Sequence, residues 1–465
     1  MLRSKSLNHP FHDRVRSILV VGNLLLILSL AGCGGASLSA PTTPQPSPQT
    51  YFAPTVVGAP APGATTFNFD ETTAQFSFSQ TTYSPKTQPG PQILNAGTVT
   101  VAQRGLRSLS ISTTYVWTPS NPIYVPTTPT TSGGSFAVEL AGQDGGLVQL
   151  VGQPVMPLVA ATECPNFSSA QTYQFITIPG SLLPAGTPPV PPNWDPTAET
   201  AYGSVDISSN GSTVNFQNIK QFTLPSVGGK GTPTQPPLSS PTGTCASTYF
   251  GNTIAVPGQA TITTPGGGGS GNNIASAQAT IGIGSSGLMV EDSGGTDNFL
   301  GASTGAVGLP KPSTALDTGA VVGAQYLGFV YGTGAYTGTN AAGNWSSHLA
   351  SFGFSTVPSA CASVAANTAT LIYGGDFTND DPSTYPNGFG NCDLAIDLGE
   401  QDTSNNGLYP NAKVWLGASY QANITGTTYL FSAVAIVGQL NGKNAIFVLG
   451  VDSTQPWSIY LLQSN

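Results

Sequence analysis

An all-β fold built from many short antiparallel strands is what this sequence of 465 residues predicts, and three observations predict it. Short alternating or β-branched runs recur along most of the chain, the period of a half-buried strand. Hairpin signals stand between them: Asn210-Gly211, Asn441-Gly442 and Asp144-Gly145-Gly146, residues that tolerate the positive φ of tight turns. Finally, 57 Gly and 39 Pro are scattered throughout, so long helices would be cut repeatedly. No window of a dozen residues carries a helical stripe; only Ser359 to Ala366 could hold a turn or two of helix.

The first segment, residues 1–32, is not part of that fold. Arg3, Lys5, Arg14 and Arg16 precede an apolar run from about Ser17 to Gly32, which ends in Leu30-Ala31-Gly32-Cys33. The run is too short for a membrane-spanning helix and is interrupted by Gly22 and Asn23, as suits a cleaved segment. That order resembles the signal of a bacterial lipoprotein. The resemblance implies that Cys33 becomes the first mature residue and carries the acyl chains of a membrane anchor, two or more of which hold a protein where one would not. Gly34 follows, in place of the Asp that retains similar lipoproteins at the inner membrane, so the resemblance implies a cell-envelope protein at the outer membrane.

Residues 33–65 are rich in Pro, Ser, Thr and Ala, as in Pro41-Thr42-Thr43-Pro44-Gln45-Pro46. Such chain is expected to form a semi-extended tether. The strand pattern is expected over 66–465, beginning with Phe67 to Asp70, Ala74 to Phe78, Leu109 to Trp117, Tyr173 to Ile178, Val205 to Ile207 and Val214 to Phe216. Pro184 to Pro196, Pro225 to Pro241 and the glycine-rich Gly266 to Asn273 read as surface loops.

An internal echo sets the expected architecture. Ala137 to Gln143, a Gly turn and an apolar strand match Ala433 to Gln439 with its Asn441-Gly442 turn, and a Gln-Pro follows each at Gln153-Pro154 and Gln455-Pro456. Roughly two dozen strands over about 400 residues suit a β-propeller of four-stranded blades. The rival is tandem β-barrels or sandwiches, the second over Val321 to Leu462, with a subdivision near 303–320. The echo favours the propeller, because its copies lie early and at the very end, places that two duplicated barrels would not share.

Charged residues are only 7% of the chain, against about a quarter in ordinary domains. Removing the signal with its four basic residues and Asp13 leaves 8 basic and 20 acidic side chains, a net charge of −12, which repels polyanions and disfavours nucleic acid. After Cys33 four cysteines remain, Cys164, Cys245, Cys361 and Cys392. An even number in an oxidising compartment reads as two disulfides, with nearest-neighbour pairing the simplest arrangement.

Residues that could carry chemistry are few. His348 is the sole mature histidine, which excludes a three-histidine metal site. Gly301-Ala302-Ser303-Thr304-Gly305 fits a nucleophile elbow, and Ser303, Asp317 and His348 follow hydrolase order, but Pro310 and Pro312 prevent the helix that an elbow needs. Seven carboxylates crowd between Asp376 and Asp402. Hard oxygens so placed suit calcium, with Asp376, Asp380, Asp381, Asp402, Ser404 and Asn406 as candidate ligands; Asp402 to Gly407 has oxygens at positions 1, 3 and 5 and glycine at 6 of an EF-hand-like loop, yet Lys413 stands where the bidentate glutamate belongs. The competing reading is a solvated loop of Asp-Asn-Gly turns. Trp194-Asp195, Tyr385 to Asn387 and Trp415 could stack on sugar rings. The sequence therefore predicts a lipid-anchored binding or structural module with a polysaccharide or protein ligand, the alternative being a hydrolase of an extracellular substrate.

Overall fold

The computed structural model describes residues 49–53, 63–70, 74–82, 92–101, 106–118, 121–127, 135–139, 145–149, 155–160, 163–178, 199–223, 243–248, 251–257, 278–292, 305–333, 344–352, 371–374, 394–416, 429–451 and 457–463. They form twenty-five antiparallel strands and one short helix in three sheets. The chain is all-β, as the sequence predicts. No helix among the described residues is long and apolar enough to cross a membrane.

The first sheet contains β1 (Gln49–Ala53), β2 (Gly63–Asp70), β3 (Gln75–Thr82), β4 (Gln92–Val101), β5 (Leu106–Thr118), β6 (Asn121–Thr127), β7 (Ser135–Glu139), β8 (Gly145–Gln149) and β9 (Val155–Val159). Its pairings run β1–β2–β3–β4–β5–β7–β8–β9 and return to β1 through Phe52 opposite Val159, so eight strands close a ring and β6 extends the far end of β5. β1 lies inside the stretch read as a tether. Tyr51, Phe52 and Ala53 are buried, and two aromatic neighbours in a Pro-rich run are enough to close the barrel there.

The last sheet is a closed barrel of β18 (Tyr326–Thr333), β19 (Asn344–Phe352), β20 (Leu371–Gly374), β21 (Leu394–Asp397), β22 (Leu408–Leu416), β23 (Tyr429–Leu440), β24 (Lys443–Gly450) and β25 (Trp457–Gln463). The propeller is thus corrected, and the barrel stands where the rival reading placed it. The echo misled because the first barrel ends at Val159: β7-β8-β9 and β23-β24-β25 are each the last three strands of an eight-stranded ring, and β9 and β25 each close onto the first strand. Asn441 and Gly442, with φ of 51° and 77°, form the two-residue turn that suits the strand twist.

Between the barrels lies a sheet of β10 (Gln171–Thr177), β11 (Glu199–Ile207), β12 (Val214–Thr223), β13 (Thr244–Thr248), β14 (Gly251–Pro257), β15 (Gln278–Ile283), β16 (Met289–Asp292) and β17 (Gly305–Pro310), in the order β12-β11-β10-β17-β16-β15-β14-β13. One face forms its own core, in which Val214 and Phe216 of β12 meet Ile254 of β14. Strands so far apart in the sheet order share a core only because the sheet curls. Gly243 N–H donates to Ser212 O (3.0 Å), joining the residues just before β13 and β12. Cys164, just before β10, and Cys245 of β13 form a disulfide with Cα atoms 5.9 Å apart. Cys361 and Cys392, like the Ser359 to Ala366 segment and Cys33, lie outside the described residues.

The other face of the middle sheet joins both barrels in a common core: Phe52, Leu147, Val155 and Val159 from the first, Ile176, Tyr202, Val290, Val307 and Leu309 from the middle, and Phe329, Ile436, Phe447 and Tyr460 from the last. Close approach at two crossings needs glycine. A Cβ on Gly282 would lie 2.7 Å from the Phe52 ring, and one on Gly438 2.8 Å from Leu309 Cβ. The boundary expected near 303–320 falls after β17, while the one between β9 and β10 has no counterpart in the sequence reading.

Because Cys164–Cys245 closes an interval of 81 residues, converting both to serine should cost about 4 kcal/mol, by relaxing the unfolded chain. Urea unfolding of the oxidised wild type and the double serine variant checks this; equal midpoints would show that the bridge adds no constraint.

Candidate functional site

The described interior side chains of the last barrel pack together. Its alternation points Tyr326, Ile396, Val414, Ala433, Ala435, Val437, Ile446, Val448, Trp457, Ile459 and Leu461 into one interior core, as expected of eight-stranded rings. Helix α1 (Thr318–Val322) covers one end: Val321 is buried with this core, and Tyr326 Oη donates to its carbonyl oxygen (2.6 Å). Tyr409 Oη lies 2.9 Å from Thr318 Oγ1 and accepts from Gln401 Nε2 (2.9 Å), while Leu316 N–H donates to Gln401 Oε1 (3.1 Å). At the opposite end Trp457 packs across Gly450, where any side chain would strike the indole. Burial pushes the hydroxyls of Tyr326 and Tyr460 in this barrel, and of Tyr173 on β10, well above the usual tyrosine range.

The acidic turn between β21 and β22 sits at the α1 end and is built by its own short side chains. Asp402 Oδ1 accepts the N–H groups of Ser404 (2.7 Å) and Asn405 (2.9 Å), an Asx-turn, and Leu408 N–H donates to Asn405 O (2.9 Å). Other elements donate to the carbonyl oxygens of the turn. Lys311 Nζ donates to Ser404 O (3.1 Å) and Asn405 Oδ1 (3.3 Å), and Gln174 Nε2 to Asn406 O (2.8 Å) and Asn405 O (3.3 Å). Asn406 Nδ2 donates to Pro312 O (3.2 Å), and Val437 N–H to Gly407 O (2.7 Å). The turn thus docks the last barrel onto β10 and the segment after β17. The cation beside it comes from Lys311, 93 residues from Ser404, whereas Lys413 is exposed on β22 opposite Asp397.

Of the candidate calcium ligands the structure brings together Asp402, Ser404 and Asn406; Asp376, Asp380 and Asp381 lie outside the described residues. Among the described residues no three His, Cys, Asp or Glu side chains are grouped to hold a metal. Of the residues in serine-hydrolase order, Asp317 caps α1, its Oδ1 accepting from Gly319 N–H (2.9 Å) and Ala320 N–H (3.4 Å). His348 lies on β19 opposite Phe329, and Ser303 is outside the described residues. Trp194 and the Tyr385 to Asn387 run are outside them too, while Trp415 is paired with Ala395 and Leu430 in the barrel wall. Sequence reading missed Gln174 and Lys311: neither belongs to a motif, and only the fold brings them to the turn.

No known protein family matches the chain, and no curated protein does. Solved structures similar to it include isotype 1 transferrin-binding protein B from serogroup B Neisseria meningitidis, 8% identical with a TM-score of 0.22 over 87% of this chain and 66% of that one. The chain thus spans just under two thirds of that protein. Intact transferrin-binding protein B with its N and C lobes (Ap-TbpB) is 8% identical, with a TM-score of 0.20 over 92% of this chain and 79% of that one.

Gln174 is buried, so Gln174→Ala should leave two carbonyls of the turn short of a donor and cost about 1–3 kcal/mol. Lys311→Ala, at a half-buried site, should cost less than about 1 kcal/mol. Urea unfolding with calcium or EDTA checks both, and the two losses should be the same in either; a loss that grows when calcium is present would return the turn to the cation reading.

The buried tyrosines set an alkaline limit. Each is neutral in the folded state and ionises in the unfolded chain near pH 10, so above that pH the folded state holds more protons and stability falls with rising pH, by up to about 1.4 kcal/mol per pH unit for each hydroxyl. Melting temperature should be flat from pH 7 to 9 and drop steeply above about pH 10. Tyr460→Phe should make that drop shallower; an unchanged slope in the variant would place the alkaline loss elsewhere.

Proposed function

We propose that the chain is a lipid-anchored cell-envelope protein that acts outside the cytoplasm as a binding module. The basic residues, the apolar run and Leu30 to Cys33 support the anchor and an outer-membrane placement. The Cys164–Cys245 bridge and the sparse charge suit that oxidising setting.

The observation that carries the binding reading is the packed interior of the last barrel, with α1 at one end and Trp457 buried near the other. Described side chains pack the interior, so recognition is assigned to residues outside it. The ends of β18, β20 and β22 and the starts of β19, β21 and β23 point toward the Trp457 end; the residues between them in sequence, 334–343, 375–393 and 417–428, lie outside the described residues. These connections contain Tyr336, Asp376, Asp380, Asp381, Tyr385 and Tyr420, the aromatic and acidic types that engage a polysaccharide or a protein ligand. Connections carried by a rigid scaffold commonly bear binding residues.

Two measurements test the reading. Metabolic labelling with a radiolabelled fatty acid should mark the wild type and leave Cys33→Ser unmarked; equal labelling would remove the anchor. Screened against glycan and extracellular-protein arrays, the mature protein should bind a ligand that is lost, with melting temperature kept, when residues 375–393 and 417–428 are each replaced by a short Gly-Ser turn. Retained binding in that variant would move recognition to another surface, and cleavage of an arrayed polysaccharide would favour the hydrolase.

A further inference from the structure

We draw no further inference here: the strongest candidate, the ten-residue outer edge of β12 in the middle sheet, carries nothing because no contact among the described residues shows what covers it.

Discussion

Strands β23, β24, β25 and β18 are apolar on both faces, and that constraint organises the molecule. Closing the barrel gives one face a core, yet Val434, Ile436, Phe447, Tyr460, Leu327 and Phe329 still point outward. Burying such a side chain is worth about 1.5–3 kcal/mol, so leaving even a few of them wet would cancel the roughly 5–15 kcal/mol of net stability typical of a domain. The outer face must therefore be covered by another sheet. Leu309 and Val307 from the middle sheet and Val159 and Phe52 from the first barrel supply the cover. Phe447 and Tyr460 meet edge to face, with centroids 5.4 Å apart. The three sheets share this core, and none is complete without it.

The same economy appears in the first barrel. In each barrel the last strands and the first carry the outward apolar residues: β8, β9 and β1 contribute Leu147, Val155, Val159 and Phe52, and β24, β25 and β18 contribute Phe447, Leu449, Tyr460 and Phe329. Matching strands of two rings thus turn toward one core. The apolar strands that follow the echo's turns, β8 and β24, are among them, and strands buried on both faces read as near-continuous apolar runs.

Much of this was legible. Runs such as Tyr173 to Ile178 and Val214 to Phe216 name strands because alternation reports burial locally, and Asn441-Gly442 names its turn because few other pairs tolerate two positive φ values. Ring closure was not legible, since it depends on pairings such as Phe52 with Val159, 107 residues apart, which leave no periodic trace. β1 escaped notice because Tyr51 and Phe52 lie among prolines and threonines, and average composition hides two buried aromatics. α1 is a single capped turn, too short to show a stripe.

The acidic turn shows where a spacing argument reaches its end. Asp-x-Ser-x-Asn-Gly satisfies a calcium loop and an Asx-turn alike, because both ask for short oxygen side chains and a glycine at the bend. Partners separate the two: ligand oxygens must converge on a point, whereas turn oxygens accept from the backbone next to them. Asp402 does the latter, and so do Asp317, on Gly319 and Ala320, and Asp397, on Gly399 N–H (2.9 Å). Asp206 takes Thr172 Oγ1 (2.6 Å) and Gln217 Nε2 (2.7 Å) across neighbouring strands. In a chain with so few charges these carboxylates act as strong local acceptors that fix turns, cap a helix and tie strands together. Asp402, Asp317 and Asp397 each serve a turn or a helix start, so their positions follow those of the turns.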